Sequence, residues 1–365
     1  MLDIGILIAP LLAGAAVFSL ALLSGEDIAV GRIGTTAVLE ARGYSDVVIT
    51  RKLTDYMRDI NSYAASEVAG LHVQHDKLEH SIGAFEQFFE IQMLMTGTRN
   101  LLGLIPIYID GELTEDADDL VVTMRVYHED EALPIHLARV RGNPDEVDML
   151  LHAVATEVLT GVNPYIPALY YRRQEQAAGN WEFPETRRLA EHFLREWPLE
   201  QHYMMHALVG RMHMLRAEND PALTEEERAV EYERAEELLE GARMQQPGFL
   251  FPHINLAVIQ AERGDYEEAS ASFRRAAELN PRYRTTRELW GEMLLRQGKT
   301  EEALAQFVAA VEIDRKDPGL RYRLAELYRT VGRPDLARQQ LERAVKLRPD
   351  ERRYLRAWRE VAAGT

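Results

Sequence analysis

Apolar and small residues recur with a period of 34 positions in the last third of the chain, over segments 250–280, 284–315 and 318–349. Bulky apolar residues hold the twenty-fourth place of each segment, at Phe273, Phe307 and Leu341. Small residues hold the eighth, twentieth and twenty-seventh places, at Ala257, Gly291, Ala325, Ala269, Ala303, Ala337, Ala276, Ala310 and Ala344. Glycine holds the fifteenth place, at Gly264, Gly298 and Gly332. Each segment therefore predicts two helices that cross closely at the small residues and are separated by a left-handed glycine cap.

This pattern resembles the tetratricopeptide repeat, a helix–turn–helix unit of 34 residues. The resemblance implies an α-solenoid, because such units bury their apolar faces only by stacking on one another. It also implies a concave surface that binds other proteins rather than a catalytic centre.

Less regular helical segments precede the three clear repeats. Helices are predicted at 199–217 and 232–246, joined by an acidic loop, and at 164–176 and 184–196. A closing helix is predicted at 352–363, with a stripe of Leu355, Trp358 and Val361 that covers the last repeat. The predicted solenoid spans 163–365, with degenerate units at 163–247, clear repeats at 250–349 and a capping helix at 350–363.

The middle of the chain, residues 44–162, predicts a separate α+β domain. Its predicted helices lie at 53–68 and 82–95, its strands at 104–113, 120–128 and 133–141, and a last helix is capped by Asn143. The order of strand, polar hairpin, strand, strand and helix is similar to the TolB amino-terminal-like domain, over about 60 residues that begin at Ile107. That family often precedes tetratricopeptide arrays in bacterial chains, and it implies assembly and partner binding. Residues 25–43 are predicted to be a linker.

The first residues predict a membrane anchor within 1–24. Residues 4–23 carry no charge and can span a hydrocarbon core of about 30 Å. Small residues on one face predict packing against another membrane helix, at Gly5, Ala9, Ala13 and Ala16. A cleaved signal peptide is the alternative, although no Lys or Arg precedes the apolar run. The sequence thus predicts a single-pass anchor in the bacterial inner membrane, with the side of the soluble domains undecided.

Charge is distributed unevenly. The chain has a formal net charge of −17, and residues 1–163 hold 10 Lys and Arg against 25 Asp and Glu. The remaining residues hold 32 against 34, so neither part has the basic stripe that nucleic acid requires.

The chain has no cysteine, which excludes disulfides and thiolate metal sites. No phosphate loop, dinucleotide fingerprint, nucleophile elbow or zinc-protease motif occurs, so we expect neither an enzyme nor a bound cofactor.

Two groups of histidines have a spacing that metal ligands use. His72, Asp76 and His80 are four residues apart, and His202, His206 and His213 lie along one predicted helix. The alternatives are a solvated helix entry for the first group and ordinary repeat packing for the second.

The resemblance also implies which residues face the groove of the array. They are Ile254, Val258, Glu288, Glu292, Arg296, Tyr322, Glu326 and Arg329. The Lys and Asn pattern by which some members clamp a carboxylate tail is absent at these positions. The predicted groove has an apolar end at Ile254 and Val258, a central acidic pair, and Tyr322 with Arg329 at its far end. Such a groove suits a partner segment with apolar anchors and some basic residues.

Together these features predict a mainly α chain with a transmembrane helix, a small α+β domain and a C-terminal solenoid. The leading hypothesis is a membrane-anchored adaptor that holds a protein partner in the repeat groove and contacts the lipid bilayer through its first helix. The alternative is a ligand or metal-ion sensor that uses the acidic α+β domain.

Overall fold

A computed structural model describes residues 28–67, 107–128 and 133–362. The strands are β1 Ile28–Gly34, β2 Ile107–Asp116, β3 Asp119–His128 and β4 His136–Gly142. The first helices are α1 Ala37–Ala41, α2 Asp46–Glu67, α3 Val147–Val162, α4 Tyr165–Ala177 and α5 Pro184–Glu196. After a short 3-10 turn come α6 His202–Asn219, α7 Glu225–Gln245, α8 Leu250–Arg263 and α9 Tyr266–Leu279. The last are α10 Arg284–Arg296, α11 Thr300–Ile313, α12 Pro318–Thr330, α13 Pro334–Leu347 and α14 Arg352–Ala362.

The chain forms two compact units. One holds the described residues up to Ala177 together with Pro184–Phe193, and the other holds Ala178–Phe183 and the residues from Leu194 onward. The sequence assigned α4 and α5 to the solenoid, whereas α4 packs on α2 and α3 in the sheet unit. The cause is its apolar face, since Ile166 and Tyr170 of α4 lie against the core of that unit.

The sheet unit has four strands in the order β1-β2-β3-β4. β1 runs parallel to β2, and the other neighbours are antiparallel. Alternate residues of β3 (Val122, Met124 and Val126) are fully buried in a core that also holds Leu53 of α2 and Leu151 of α3. Helices therefore cover one face of the sheet, as alternation of apolar and polar residues in the strands predicts.

The prediction of a linker at residues 25–43 is wrong, because residues 28–34 form β1 and residues 37–41 form α1. Its alternation is interrupted by Gly31 and by a register shift between Val30 and Ile33, which conceals the strand signal. Tyr108 lies over the glycine: a Cβ at Gly31 would stand 2.1 Å from the Tyr108 hydroxyl oxygen. Any larger residue at position 31 would therefore displace the Tyr108 ring.

The predicted Asn143 cap is also wrong. The Asn143 side chain accepts a hydrogen bond from the Asp145 amide and forms a turn, and α3 begins four residues later at Val147. Asn is equally suited to such a turn, since its short side chain can bond the backbone two residues on. Helix α2 begins at Asp46, seven residues before its predicted start at residue 53. The predicted helix at 82–95 lies outside the described residues.

The second unit is an array of antiparallel helix pairs. Gly264, Gly298 and Gly332 have φ of 89°, 73° and 72°, which confirms the predicted left-handed caps. After each glycine a backbone N–H donates to a carbonyl five residues back, from Asp265 to Gln260 at 2.9 Å in the first repeat. The turns of the three repeats thus have one geometry.

The predicted small residues lie where the helices cross. The alanines of the repeat pattern are fully buried, and a Cβ at Gly291 of α10 would stand 2.6 Å from the Phe307 ring of α11. Phe273, Phe307 and Leu341 fill the space between layers and are at most 2% exposed. The closing stripe on α14 is shifted by one residue, since Tyr354 and Ala357 are its buried centre and Leu355 is only half-buried.

The irregular pair α6 and α7 departs from its predicted bounds. Residues 225–227, predicted to lie in a loop, form the first turn of α7, where Thr224 and Glu227 make a capping box. The box satisfies two backbone donors that a helix start otherwise leaves without partners. The acidic residues there favour the start of a helix, where a negative charge is stabilised.

Candidate partner-binding surface of the helical array

The predicted groove lies on α8, α10 and α12, the first helices of the three clear repeats. Phe251, Val258 and Glu262 share one face of α8, since seven and eleven residues correspond to nearly whole helical turns. Arg296 and Glu292 of α10 and Arg323 of α12 extend this face, because Glu262 contacts Arg296 and Glu292 contacts Arg323. We call this surface the groove face.

The predicted apolar end of the groove is closed. Ile254 is only 4% exposed and belongs to the core cluster that contains Leu250, Met293 and Leu294. Val258 is half-buried and packs against that cluster as well as the neighbouring one. Ile254 is therefore a core residue and not an anchor for a partner. At this place of the repeat an apolar side chain turns inward, whereas the polar Glu288 at the same place of the next repeat stays partly exposed.

Four aromatic rings supply partly exposed apolar surface instead. Tyr203, Phe249, Phe251 and Tyr283 contact one another edge to face, with successive centroids 5.0, 5.4 and 5.8 Å apart. They lie at or near the starts of α6, α8 and α10, and each is half-buried. Sequence reasoning missed this aromatic ladder. The signal was present, because Phe249 and Tyr283 occupy the same position of successive repeats, directly before the first helix.

Glutamate–arginine pairs join the first helices across the groove face. Glu262 of α8 contacts Arg296 of α10. Glu292 of α10 binds Arg323 of α12, which donates to both carboxylate oxygens at 2.8 Å. The acid lies on one repeat and the arginine on the next, 34 or 31 residues later. The central acidic groove expected from the sequence is therefore neutralised, and sequence reasoning missed Arg323.

Glu288 lies beside this row. Arg284 donates to Glu288 at 3.0 Å and to Asp317 at 2.9 Å, so it joins α10 to the start of α12. Burial raises the pKa of Glu288, because a less hydrated site disfavours the carboxylate. Arg284 opposes this shift, and the carboxylates of Asp317 and Asp314 reinforce it. A partner cation placed here would stabilise the charged form of Glu288.

The far end of the predicted groove is lined by Tyr322, Glu326 and Arg329. Tyr322 is half-buried, and its ring lies 5.3 Å from Tyr354 of the closing helix. Arg329 donates to Glu326 at 3.1 Å and lies 3.8 Å from Glu360. Every charged groove residue named in the sequence prediction thus has an ion-pair partner within the array.

The three histidines of α6 do not converge on one site. His202 bonds the Trp197 carbonyl at 2.9 Å through Nε2, and His213 contacts the buried Glu231 at 2.6 Å through Nδ1. His206 lies against the His202 ring, and burial lowers the pKa of its imidazole. In the ranges that the structure describes, no group of histidine and carboxylate side chains is arranged to hold a metal ion.

Several predicted residues lie outside the described residues. They are the small residues Gly5, Ala9, Ala13 and Ala16 and the metal candidates His72, Asp76 and His80. The predicted anchor at 4–23 lies there as well. None of the helices within 28–67, 107–128 and 133–362 combines the length and the apolar composition needed to cross a membrane.

Comparison with known families decides the nature of the array. Two tetratricopeptide repeat models match the chain, over residues 254–319 and 294–358. The C-terminal array is built of tetratricopeptide repeats. The predicted repeat resemblance is thereby confirmed, whereas the similarity of the middle domain to the TolB amino-terminal-like domain stays a prediction.

Known proteins resemble the chain over part of its length. Protein O-mannosyl-transferase TMTC3 of Homo sapiens is 32% identical over 105 residues, which are 28% of this chain and 12% of that protein. The mouse protein of the same name is 35% identical over 83 residues, 22% of this chain and 9% of the mouse protein. The chain therefore spans only a small part of these relatives.

Solved tetratricopeptide structures also resemble it. A thermophilic tetratricopeptide protein of Thermus thermophilus has 22% identity and a TM-score of 0.39, covering 55% of this chain and 99% of its own. YrrB, described as a tetratricopeptide protein with an unusual peptide-binding site, has 19% identity and a TM-score of 0.35. That match covers 56% of this chain and 98% of YrrB.

Proposed function

We propose that this protein is a membrane-anchored adaptor that holds a partner protein on the groove face of its tetratricopeptide array. Tetratricopeptide repeats indicate a protein-interaction scaffold, and the two family matches support this role. The attachment to a bilayer rests on the uncharged run at residues 4–23. The adaptor itself performs no chemical reaction, since recruitment requires only binding.

The groove face carries the proposal. It offers a partly exposed aromatic ladder beside a row of Glu–Arg pairs that is close to neutral. A neutral row gives little long-range attraction for a charged partner, so recognition depends on contact. A partner segment anchors apolar side chains on the rings of Tyr203 and Phe251 and exchanges hydrogen bonds with the paired charges.

Anchoring increases the efficiency of such an adaptor. A protein fixed to a membrane meets its companions at a higher effective concentration than one in free solution. Removal of residues 4–23 is therefore expected to release the protein from the membrane fraction and to weaken retention of the partner in the complex. If the shortened protein stays in the membrane fraction after alkaline carbonate washing, the anchor assignment is wrong.

An exchange of charges tests the groove separately from stability. The double variant Glu292→Arg with Arg323→Glu keeps an ion pair between α10 and α12 but reverses the charge pattern that the partner meets. The matched control is Glu301→Arg with Arg333→Glu, an exchange of a pair of similar geometry at 3.0 Å that lies at the starts of the second helices α11 and α13.

Each tagged full-length variant is purified from detergent-solubilised native membranes, and its near-stoichiometric companions are identified by mass spectrometry. We expect the wild-type protein and the control to retain the same companion and the groove variant to lose it. Equal retention by all three proteins would contradict the assignment of the groove face.

A further inference from the structure

The sheet has a second face, on which polar and charged side chains form rows. Helices cover one face of the sheet, and the other face presents rows of side chains that run across the strands. One row consists of Asp110, Arg125 and Leu137, and the next consists of Glu112, Thr123 and Arg139. The alternate residues of β3, Met124 and Val126, point into the core.

Arginines on this second face are neutralised by acids of other strands. Arg125 of β3 donates to Asp110 at 3.3 Å and to Glu112 at 2.6 Å, both on β2. Arg141 of β4 contacts Asp116 of β2 and lies 3.6 Å from Asp119 of β3. Cross-strand pairs of opposite charge stabilise a sheet. On this face both Arg125 and Arg141 have such acidic partners.

Arg139 departs from that pattern. It lies on β4 opposite Thr123, its side chain is exposed, and it forms no ion pair with any residue in the described part of the chain. Two apolar side chains lie close to it in sequence: Ile135 is 45% exposed and Leu137 is 56% exposed.

β4 is an edge strand. In the described sheet it pairs with β3 alone, so its other side presents backbone N–H and C=O groups without strand partners. Exposed edges of this kind are templates for an added strand unless charge or proline blunts them. An arginine by itself would blunt the edge, but exposed aliphatic residues beside it favour pairing.

We propose that the edge of β4 accepts an extended acidic segment of a partner protein as a fifth strand. The backbone of that segment bonds the free edge, one acidic side chain lies beside Arg139, and an aliphatic side chain lies beside Leu137. This is strand addition, in which main-chain hydrogen bonds give affinity and alternate side chains give specificity. The added acid would then pair with Arg139 as Asp110 and Glu112 pair with Arg125.

A peptide probe tests the proposal on the full-length protein. The probe is a capped eight-residue peptide, Thr-Val-Thr-Glu-Thr-Val-Thr-Glu, in which valine and glutamate alternate on one face of the strand. A second peptide carries lysine in place of each glutamate. Affinity is measured by fluorescence anisotropy up to about 1 mM probe. Hydrogen exchange followed by mass spectrometry reports whether the backbone of residues 133–142 becomes protected.

Charge reversal identifies the side chain that selects the probe. We expect the glutamate peptide to bind the wild-type protein and to protect β4, and the Arg139→Glu variant to bind it at least about fivefold more weakly. The same variant should prefer the lysine peptide. Arg51→Glu, a reversal of an exposed arginine on α2, should bind both peptides as the wild-type protein does.

Three outcomes would overturn the proposal. The glutamate peptide fails to bind the wild-type protein, or Arg139→Glu leaves the preference between the two peptides unchanged, or β4 is already fully protected in the free protein. The last result would show that the chain covers its own edge.

Discussion

Arg323 on α12 donates to both carboxylate oxygens of Glu292 on α10, so one side chain joins two successive repeats on the groove face. The guanidinium is planar and fits a carboxylate in this two-bond manner, which a lysine ammonium would not do. Both side chains remain nearly half exposed, at 48% and 41%. The pair therefore adds little stability, but it fixes which charges a partner meets.

Loss of the Glu292–Arg323 pair should lower stability only slightly, and exchange of the two residues should restore it. Arg323→Ala should lower the free energy of unfolding by at most about 1 kcal/mol, because exposed pairs are screened by water. For a unit of this size that corresponds to a fall of about 2–4 °C in melting temperature. Calorimetry of the full-length protein measures it, and the Glu292→Arg, Arg323→Glu exchange should melt close to the wild-type protein. A large loss in the exchanged variant would show that the local environment, not the pair, sets stability there.

Close approach of α10 and α11 at Gly291 predicts a larger effect. Gly291→Ala places a Cβ about 2.6 Å from the Phe307 ring, which is closer than van der Waals contact permits. Overpacking of this kind costs about 1–3 kcal/mol.

Gly241→Ala on α7 is the matched control, since no heavy atom lies within 4 Å of its Cβ position. In a helix this change should stabilise the protein by about 0.5–1 kcal/mol. Opposite shifts of the two melting temperatures are expected, and a neutral Gly291→Ala would contradict the packing account.

His152 predicts a dependence of stability on pH. It lies on α3 between Tyr56 and Tyr170, with Nε2 3.0 Å from the Tyr170 hydroxyl. Burial lowers the pKa of His152 below its ordinary value near 6.5, and the carboxylate of Asp59 opposes this. The unfolded chain therefore takes up a proton at a higher pH than the folded one, and stability is lost as pH falls through 6.5 toward the folded-state pKa.

His152→Gln should reduce the loss of stability of the sheet unit between about pH 7 and 5, because glutamine does not titrate in this range. Its amide can still bond Tyr170, so stability at neutral pH should change less than the pH dependence does. Thermal unfolding at each pH measures both quantities. An unchanged slope in the variant would exclude His152 as its source.

The repeats could be predicted because their signals are local. Glycine is needed for the left-handed caps, and only small residues fit where the helices cross. The roles of positions such as Gly264 and Ala303 can therefore be predicted from the sequence. The alternation of apolar and polar residues in β3 could be predicted as well, because it too is a local signal.

Other features depend on contacts between distant residues. β1 was missed because Gly31 interrupts its alternation, and that glycine is explained only by Tyr108 on the next strand. Ile254 was assigned to the groove because a repeat position does not show how deeply the neighbouring helix covers it. Arg323 was missed because its partner lies 31 residues away, and either residue alone resembles an ordinary solvated side chain.

Site-specific photo-crosslinking in the intact cell tests whether a partner binds on the groove face, because this method captures a partner whose identity is unknown. A photoreactive phenylalanine derivative replaces exposed Thr330 at the groove end of α12, and in a separate protein it replaces exposed Gln339 on the second helix α13. We expect a discrete crosslinked partner from position 330 and none from position 339. A partner crosslinked from position 339 alone, or equally from both, would contradict binding on the groove face.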